Sequence, residues 1–129
     1  MSERRVVVTG LGATTPLGGT IAETWDGILA GRSGAKPLDQ EMLDRYELPV
    51  HFACTIAQDP LEVLTKVQVR RMDPSAQYAV FASLAALEDA GSPEIDPLRL
   101  GVAIGTGIGG VWTLLDQWDN LREKGVRRV

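Results

Sequence analysis

Apolar residues in this chain follow two rhythms. Val6-Val7-Val8 is a β-branched run with no polar residue inside it, the pattern of a strand covered on both faces in a parallel sheet flanked by helices. The run breaks at Thr9-Gly10-Leu11-Gly12 and passes through the turn-rich Thr14-Thr15-Pro16-Leu17-Gly18. Thr20-Ile21-Ala22-Glu23 then has the spacing in which a hydroxyl and a carboxylate reciprocally satisfy free N–H groups at a helix start. Ile21, Trp25, Ile28 and Leu29 recur at helical spacing, so a helix is predicted over 21–30, with Gly31 as its left-handed stop. Strand, loop and helix open an α/β chain.

Residues 31–49 are rich in Gly, Pro, Asp and Ser and read as a long surface connection with one helical turn. Over 50–56, Val50, Phe52, Cys54 and Ile56 share one face at period two, which predicts a second strand ended by Asp59-Pro60. Asp73-Pro74 places a capping side chain before a proline at the first helical position. The helix predicted from 74 to about 90 is full of small residues and apolar on most sides, which reads as a buried central helix closed by Gly91. Leu100-Gly101-Val102-Ala103-Ile104 reads as another buried strand, followed by Gly105-Thr106-Gly107-Ile108-Gly109-Gly110. A last helix carries Val111, Leu114, Leu115, Trp118 and Leu121 on one face and stops at Gly125.

With 129 residues and 44% apolar content, the chain suits one domain with no internal boundary or repeat. Thirteen basic and 17 acidic residues give a net charge of −4, which offers no bulk attraction to nucleic acid or an anionic membrane. No stretch has the layout of a secretion signal or the length of a membrane span. One cysteine rules out an internal disulfide framework and a multi-cysteine zinc site. The expectation is a cytoplasmic protein without resident metal or cofactor.

Gly105, Gly107 and Gly110 match G-x-G-x-x-G between a predicted strand and helix, where a dinucleotide phosphate meets helix N–H groups. An NAD(P)-binding domain is therefore one reading. Close backbone packing at a strand-to-helix crossing is another, and Ile108 between glycines also suits the lining of an apolar channel. Cys54 falls on the apolar face of its strand and reads as a buried structural thiol. His51 lies three residues away and points to the opposite face, so the two form no catalytic pair. Lys66, Arg70 and Arg71 cluster within six positions, and Lys66 and Arg70 share a face if that segment is helical. With Arg127 and Arg128 they make local basic patches suited to an acidic partner, or else surface ion pairs with Glu62 and Asp73.

Several separated motifs then carry a resemblance. Val6-Val7-Val8-Thr9-Gly10-Leu11-Gly12 with Pro16-Leu17-Gly18, Thr24-Trp25 and Leu29-Ala30-Gly31-Arg32-Ser33-Gly34 are followed by Arg70-Arg71-Met72-Asp73, Ala90-Gly91 and the 104–110 glycine loop. In order and spacing they resemble the beginning of the elongating type II β-ketoacyl-[acyl-carrier-protein] synthases. The resemblance implies the N-terminal part of a thiolase-like layered αβαβα fold, incomplete over these residues, and a homodimer at full length. It implies that a cysteine takes the acyl group and two histidines assist decarboxylation of malonyl-carrier. Neither Cys54 nor His51 matches those motif positions, so no catalytic residue is assigned here. Ile108 matches the position bordering the acyl pocket, and Lys66, Arg70, Arg71, Arg127 and Arg128 fall in or beside segments similar to the docking surface for acyl carrier protein and its phosphopantetheine-linked groups. A noncatalytic chain-length factor shares the same opening motifs. Apolar faces built for a larger sheet are expected to remain uncovered and to favour association with other chains.

Overall fold

Thr20 and Glu23 form the expected capping box. The Thr20 hydroxyl accepts from the Glu23 N–H at 3.1 Å, and the Glu23 carboxylate accepts from the Thr20 N–H at 3.1 Å and the Gly19 N–H at 2.9 Å. In the computed structural model, which describes residues 4–129, this box starts helix α1, Ile21–Leu29, and Gly31 leaves it at φ 62°. Strand β1, Ala35–Pro37, helix α2, Gln40–Tyr46, and strand β2, Phe52–Cys54, follow. A 3₁₀ turn at Pro60–Glu62 leads into helix α3, Lys66–Arg71, whose start is a second capping box between Thr65 and Gln68. Helix α4 is Pro74–Asp89 and helix α5 is Val111–Lys124, with 3₁₀ turns at Pro97–Arg99 and Val126–Arg128.

Helix α4 organises the rest. Its buried Gln77 donates from Nε2 to the Val69 carbonyl at 3.0 Å and the Met72 carbonyl at 2.8 Å, which satisfies the end of α3 and fixes the α3–α4 corner. Phe81 of α4, Leu64 before α3 and Leu43 of α2 are the buried apolar residues. Along another side of α4, Ala82, Ala86 and Ala90 recur every fourth residue, and the backbone of Gly10 and Gly12 lies directly on them. A Cβ at Gly10 would stand 2.7 Å from the Ala90 nitrogen and overlap the Ala86 carbonyl; one at Gly12 would stand 2.5 Å from the Ala86 nitrogen and overlap the Ala82 carbonyl. The Leu11 N–H between them donates to the Asp89 carboxylate at 2.8 Å and pins the segment to the end of the helix.

The single sheet among the described residues pairs β1 with β2 antiparallel, in the register Ala35 with Cys54, Lys36 with Ala53 and Pro37 with Phe52. Residues 31–49, expected to be mostly irregular, thus contribute a strand and two turns of helix. The strand expected over 50–56 is shorter, and its Phe52 and Cys54 face is exposed rather than buried, because among the described residues no layer packs on this two-stranded ribbon. Cys54 is accordingly a free exposed thiol, not the buried one that alternation suggested.

Neither Val6-Val7-Val8 nor residues 100–104 form strand, and their valines and isoleucine are exposed, Val6 at 95%. A parallel strand holds its conformation through ladders to neighbours on either side, and among the described residues none lies alongside these runs. Helix α4 is buried on one side only: Leu84 and Leu87 remain 46% and 42% exposed. The accessible surface of 10962 Å² compares with roughly 6,700 Å² for a compact folded chain of this size. Apolar faces are present at the expected spacing, therefore, but many are uncovered. No helix among the described residues is long and apolar enough to cross a membrane.

Gly12→Ala should destabilise the chain by about 1–3 kcal/mol, the range for overpacking, because α4 backbone rather than a movable side chain occupies the Cβ position. Gly101→Ala, with open space around its Cβ, is the control. Thermal unfolding followed by helical circular dichroism should show a lowered Tm for the first and little change for the second; equal values would contradict the close approach.

Candidate functional site

Asp73 was legible as the cap of α4, and the structure gives it a second task. One carboxylate oxygen accepts from the Ser75 N–H at 2.9 Å and the Ser75 hydroxyl at 2.8 Å, inside the first turn of α4. The other accepts from the Thr113 N–H at 3.0 Å and the Thr113 hydroxyl at 2.9 Å, inside the first turn of α5. One anion thus serves the N-termini of two helices, where their dipoles favour negative charge. The backbone N–H of Thr113, then that of Ser75, hold its pKa down from the ordinary 3.8 to about 2. Thr113 carries no local sequence signal for this role, since its partner is 40 residues away.

The 105–110 loop leads into α5 from this anchor. Thr106 Oγ1 accepts from the Gly109 N–H at 3.1 Å and clamps the loop on itself. Ile104, Gly105 and Thr106 form one wall of a groove of about 620 Å³ whose other wall includes Tyr78 and Ala79 of α4, with Thr14 beside them. The Thr14 hydroxyl oxygen is buried there without a hydrogen-bond partner. Ile108 stands outside this groove, 81% exposed at the tip of the loop. Among the described residues, 100–104 form no strand ahead of the loop, so the strand–loop–helix context of the dinucleotide fingerprint is not seen.

Lys66, Arg70 and Arg71 all lie on α3 and are exposed, and Arg70 folds back so that its Nε donates to the Lys66 carbonyl at 3.3 Å. The carboxylates considered as their partners are engaged elsewhere: Glu62 accepts from Gln58 at 2.9 Å, and Asp73 serves the two helices. Arg70 shares a groove of about 460 Å³ with Trp112, Thr113 and Asp116 at the start of α5. Arg127 and Arg128 are exposed in the turn beyond the far end of α5, whose length interposes roughly 20 Å. The structure brings the three α3 cations together and sets the other two apart as a second patch.

His51 and Cys54 remain on or beside the β1–β2 ribbon, with the His51 carbonyl accepting from the Leu38 N–H at 2.9 Å. Among the described residues, no three His, Cys, Asp or Glu side chains gather as a metal site.

Comparison with known proteins places this geometry in context. The family described as "Beta-ketoacyl synthase, N-terminal domain" matches residues 3–129. The 3-oxoacyl-[acyl-carrier-protein] synthase 2 of Vibrio cholerae is 40% identical and that of Coxiella burnetii 38% identical, each over all of this chain and 31% of the relative. The protein of the same name from Mycobacterium leprae is 36% identical over 96% of this chain and 30% of its own length. Among solved structures, "The ishigamide ketosynthase/chain length factor" superposes with a TM-score of 0.72 at 28% identity, covering 96% of this chain and 31% of that one. The chain therefore spans about a third of the length of these proteins.

Because Asp73 has a depressed pKa in the folded chain, its contribution to stability is complete above pH 3.8 and is lost as pH falls towards about 2. Acid titration of Tm should show a steep loss in that window, and Asp73→Asn should flatten this part of the profile. A profile unchanged by the substitution would dismiss the double cap as a source of stability.

Proposed function

The chain belongs to the beta-ketoacyl synthase family, and from that premise we propose that it forms the N-terminal part of a 3-oxoacyl-[acyl-carrier-protein] synthase of fatty acid elongation. The reaction is the decarboxylative condensation of an acyl thioester with malonyl-carrier. The observation that carries this reading is alignment of the entire chain with two synthases at 38% and 40% identity. The solved structure whose title also names a chain length factor is less similar, at 28% identity. A noncatalytic chain-length factor is thus the second reading, and the synthase is preferred.

Condensation requires a thiolate to take the acyl group, donors that hold the developing oxyanion and stabilisers for the enolate left by decarboxylation. Exposed Cys54 on a two-stranded ribbon is not assigned as that nucleophile. The reactive cysteine and histidines are assigned outside these 129 residues. The contribution of this chain is recognition and shape: Ile108 borders the acyl pocket, and its loop determines how acyl chains enter or extend. The thiolase-like layers form when the uncovered faces of α4, α5 and the 6–8 and 100–104 runs are joined by further strands and helices, in a cytoplasmic homodimer.

Lys66, Arg70 and Arg71 on α3, with Arg127 and Arg128 beyond α5, form the docking surface for acyl carrier protein. Their separation of roughly 20 Å fits within the roughly 30 Å diameter of a small domain, so one carrier spans both patches. Local cations on a chain of net charge −4 orient an acidic partner without drawing polyanions over the whole surface. The acyl and malonyl groups arrive on the phosphopantetheine arm of that carrier.

Two outcomes test this reading. The purified 129-residue chain should show no turnover of acyl- and malonyl-carrier, and measurable condensation by it would overturn the assignment of catalysis to residues outside it. In titrations of the full-length protein with purified acyl carrier protein, combining Arg70→Glu with Arg127→Glu should weaken binding about tenfold, roughly 1.4 kcal/mol, and flatten its salt dependence. Unchanged affinity would remove the docking assignment.

A further inference from the structure

Among the described residues, helix α5 and the glycine loop ahead of it have a single polar attachment to the preceding elements. Among the described residues, the loop bonds internally, Gly109 N–H to Thr106 and Val111 N–H to the Gly109 carbonyl, and every hydrogen bond leading from 105–129 to the earlier chain ends on Asp73. Packing repeats the pattern: a Cβ at Gly110 would lie 3.3 Å from Cβ and Cγ of Asp73, so the last loop residue rests directly against that side chain. Ser75, the other partner of Asp73, faces the groove that Ile104, Gly105 and Thr106 close from the opposite side. Asp73 therefore joins the helix that forms one wall of the groove to the loop that forms the other.

The geometry points to Asp73 as a positioning residue that, through Thr113 and Gly110, fixes the 105–110 loop and the reach of Ile108, and so determines which acyl chain lengths are accepted. The acyl part rests on the synthase reading above. The anchoring part stands on the hydrogen bonds alone. A carboxylate suits this task because two acceptor oxygens can address two helices at once, each through a backbone N–H and a hydroxyl. Serine at the same position retains a good cap for α4 but has a single oxygen, which cannot hold both helices. Replacing Thr113 by valine removes one of the two α5 bonds and leaves the α4 cap untouched.

Asp73→Ser and Thr113→Val should both speed amide hydrogen exchange at positions 113 and 114, while exchange within α4 at Gln77 and Tyr78 stays as it was. In the natural-length protein, assayed with hexanoyl- and dodecanoyl-carrier, both should shift the ratio of kcat/KM between the two substrates by about tenfold, the worth of roughly one methylene in an apolar pocket. A general loss of stability would instead lower both values together. Unchanged exchange at 113 and 114 in Asp73→Ser, which keeps the α4 cap, would overturn the anchor, and an unchanged substrate ratio with condensation intact would overturn its role in selection. Absence of condensation in the unaltered natural-length protein would overturn the synthase reading and the acyl role with it, leaving exchange to decide the anchor.

Discussion

Asp73 stands where two helices begin, and its two carboxylate oxygens face different ones. A helix start leaves backbone N–H groups without internal partners, and its dipole favours an anion there. In most helices one side chain meets that need locally, as Thr20 does for α1 and Thr65 for α3. Asp73 meets it for α4 from the adjoining residue and for α5 from across 40 residues. The direction of α5, and the placement of the loop that precedes it, depend on that shared anion.

Helix α4 is the body to which the anchor is fixed. Gln77 fastens α3 to it from inside, and Gly10 and Gly12 bring the opening segment onto its alanines more closely than any side chain would permit. Small residues on both sides of that contact leave the adjacent groove open between α4 and the 104–106 segment. Backbone proximity along α4 and the apolar recess beside it follow from one compositional choice, alanine and serine where a typical surface helix carries larger residues.

The exposed cations fall into two separated patches. Cations that would have been neutralised by Glu62 and Asp73 remain available on α3 because those carboxylates hold other groups. A second pair of cations is set off by the length of α5.

The starts and stops of α1, α4 and α5 were legible in the sequence, because caps, prolines and glycines act through bonds between residues a few positions apart. Lys66 and Arg70 were legible as one helical face for the same reason. The motif series identified the family, since its separated pieces coincide in order along the chain. The runs at 6–8 and 100–104 looked like strands but form none, because a ladder requires a neighbour and intrinsic preference for extended backbone does not supply one. Cys54 looked buried because alternation specifies which residues share a face, not whether anything covers it. Only the tertiary structure could show Asp73 reaching Thr113, Gly10 and Gly12 seated on α4, and Gln77 closing α3, since each joins groups whose meeting depends on how whole elements pack.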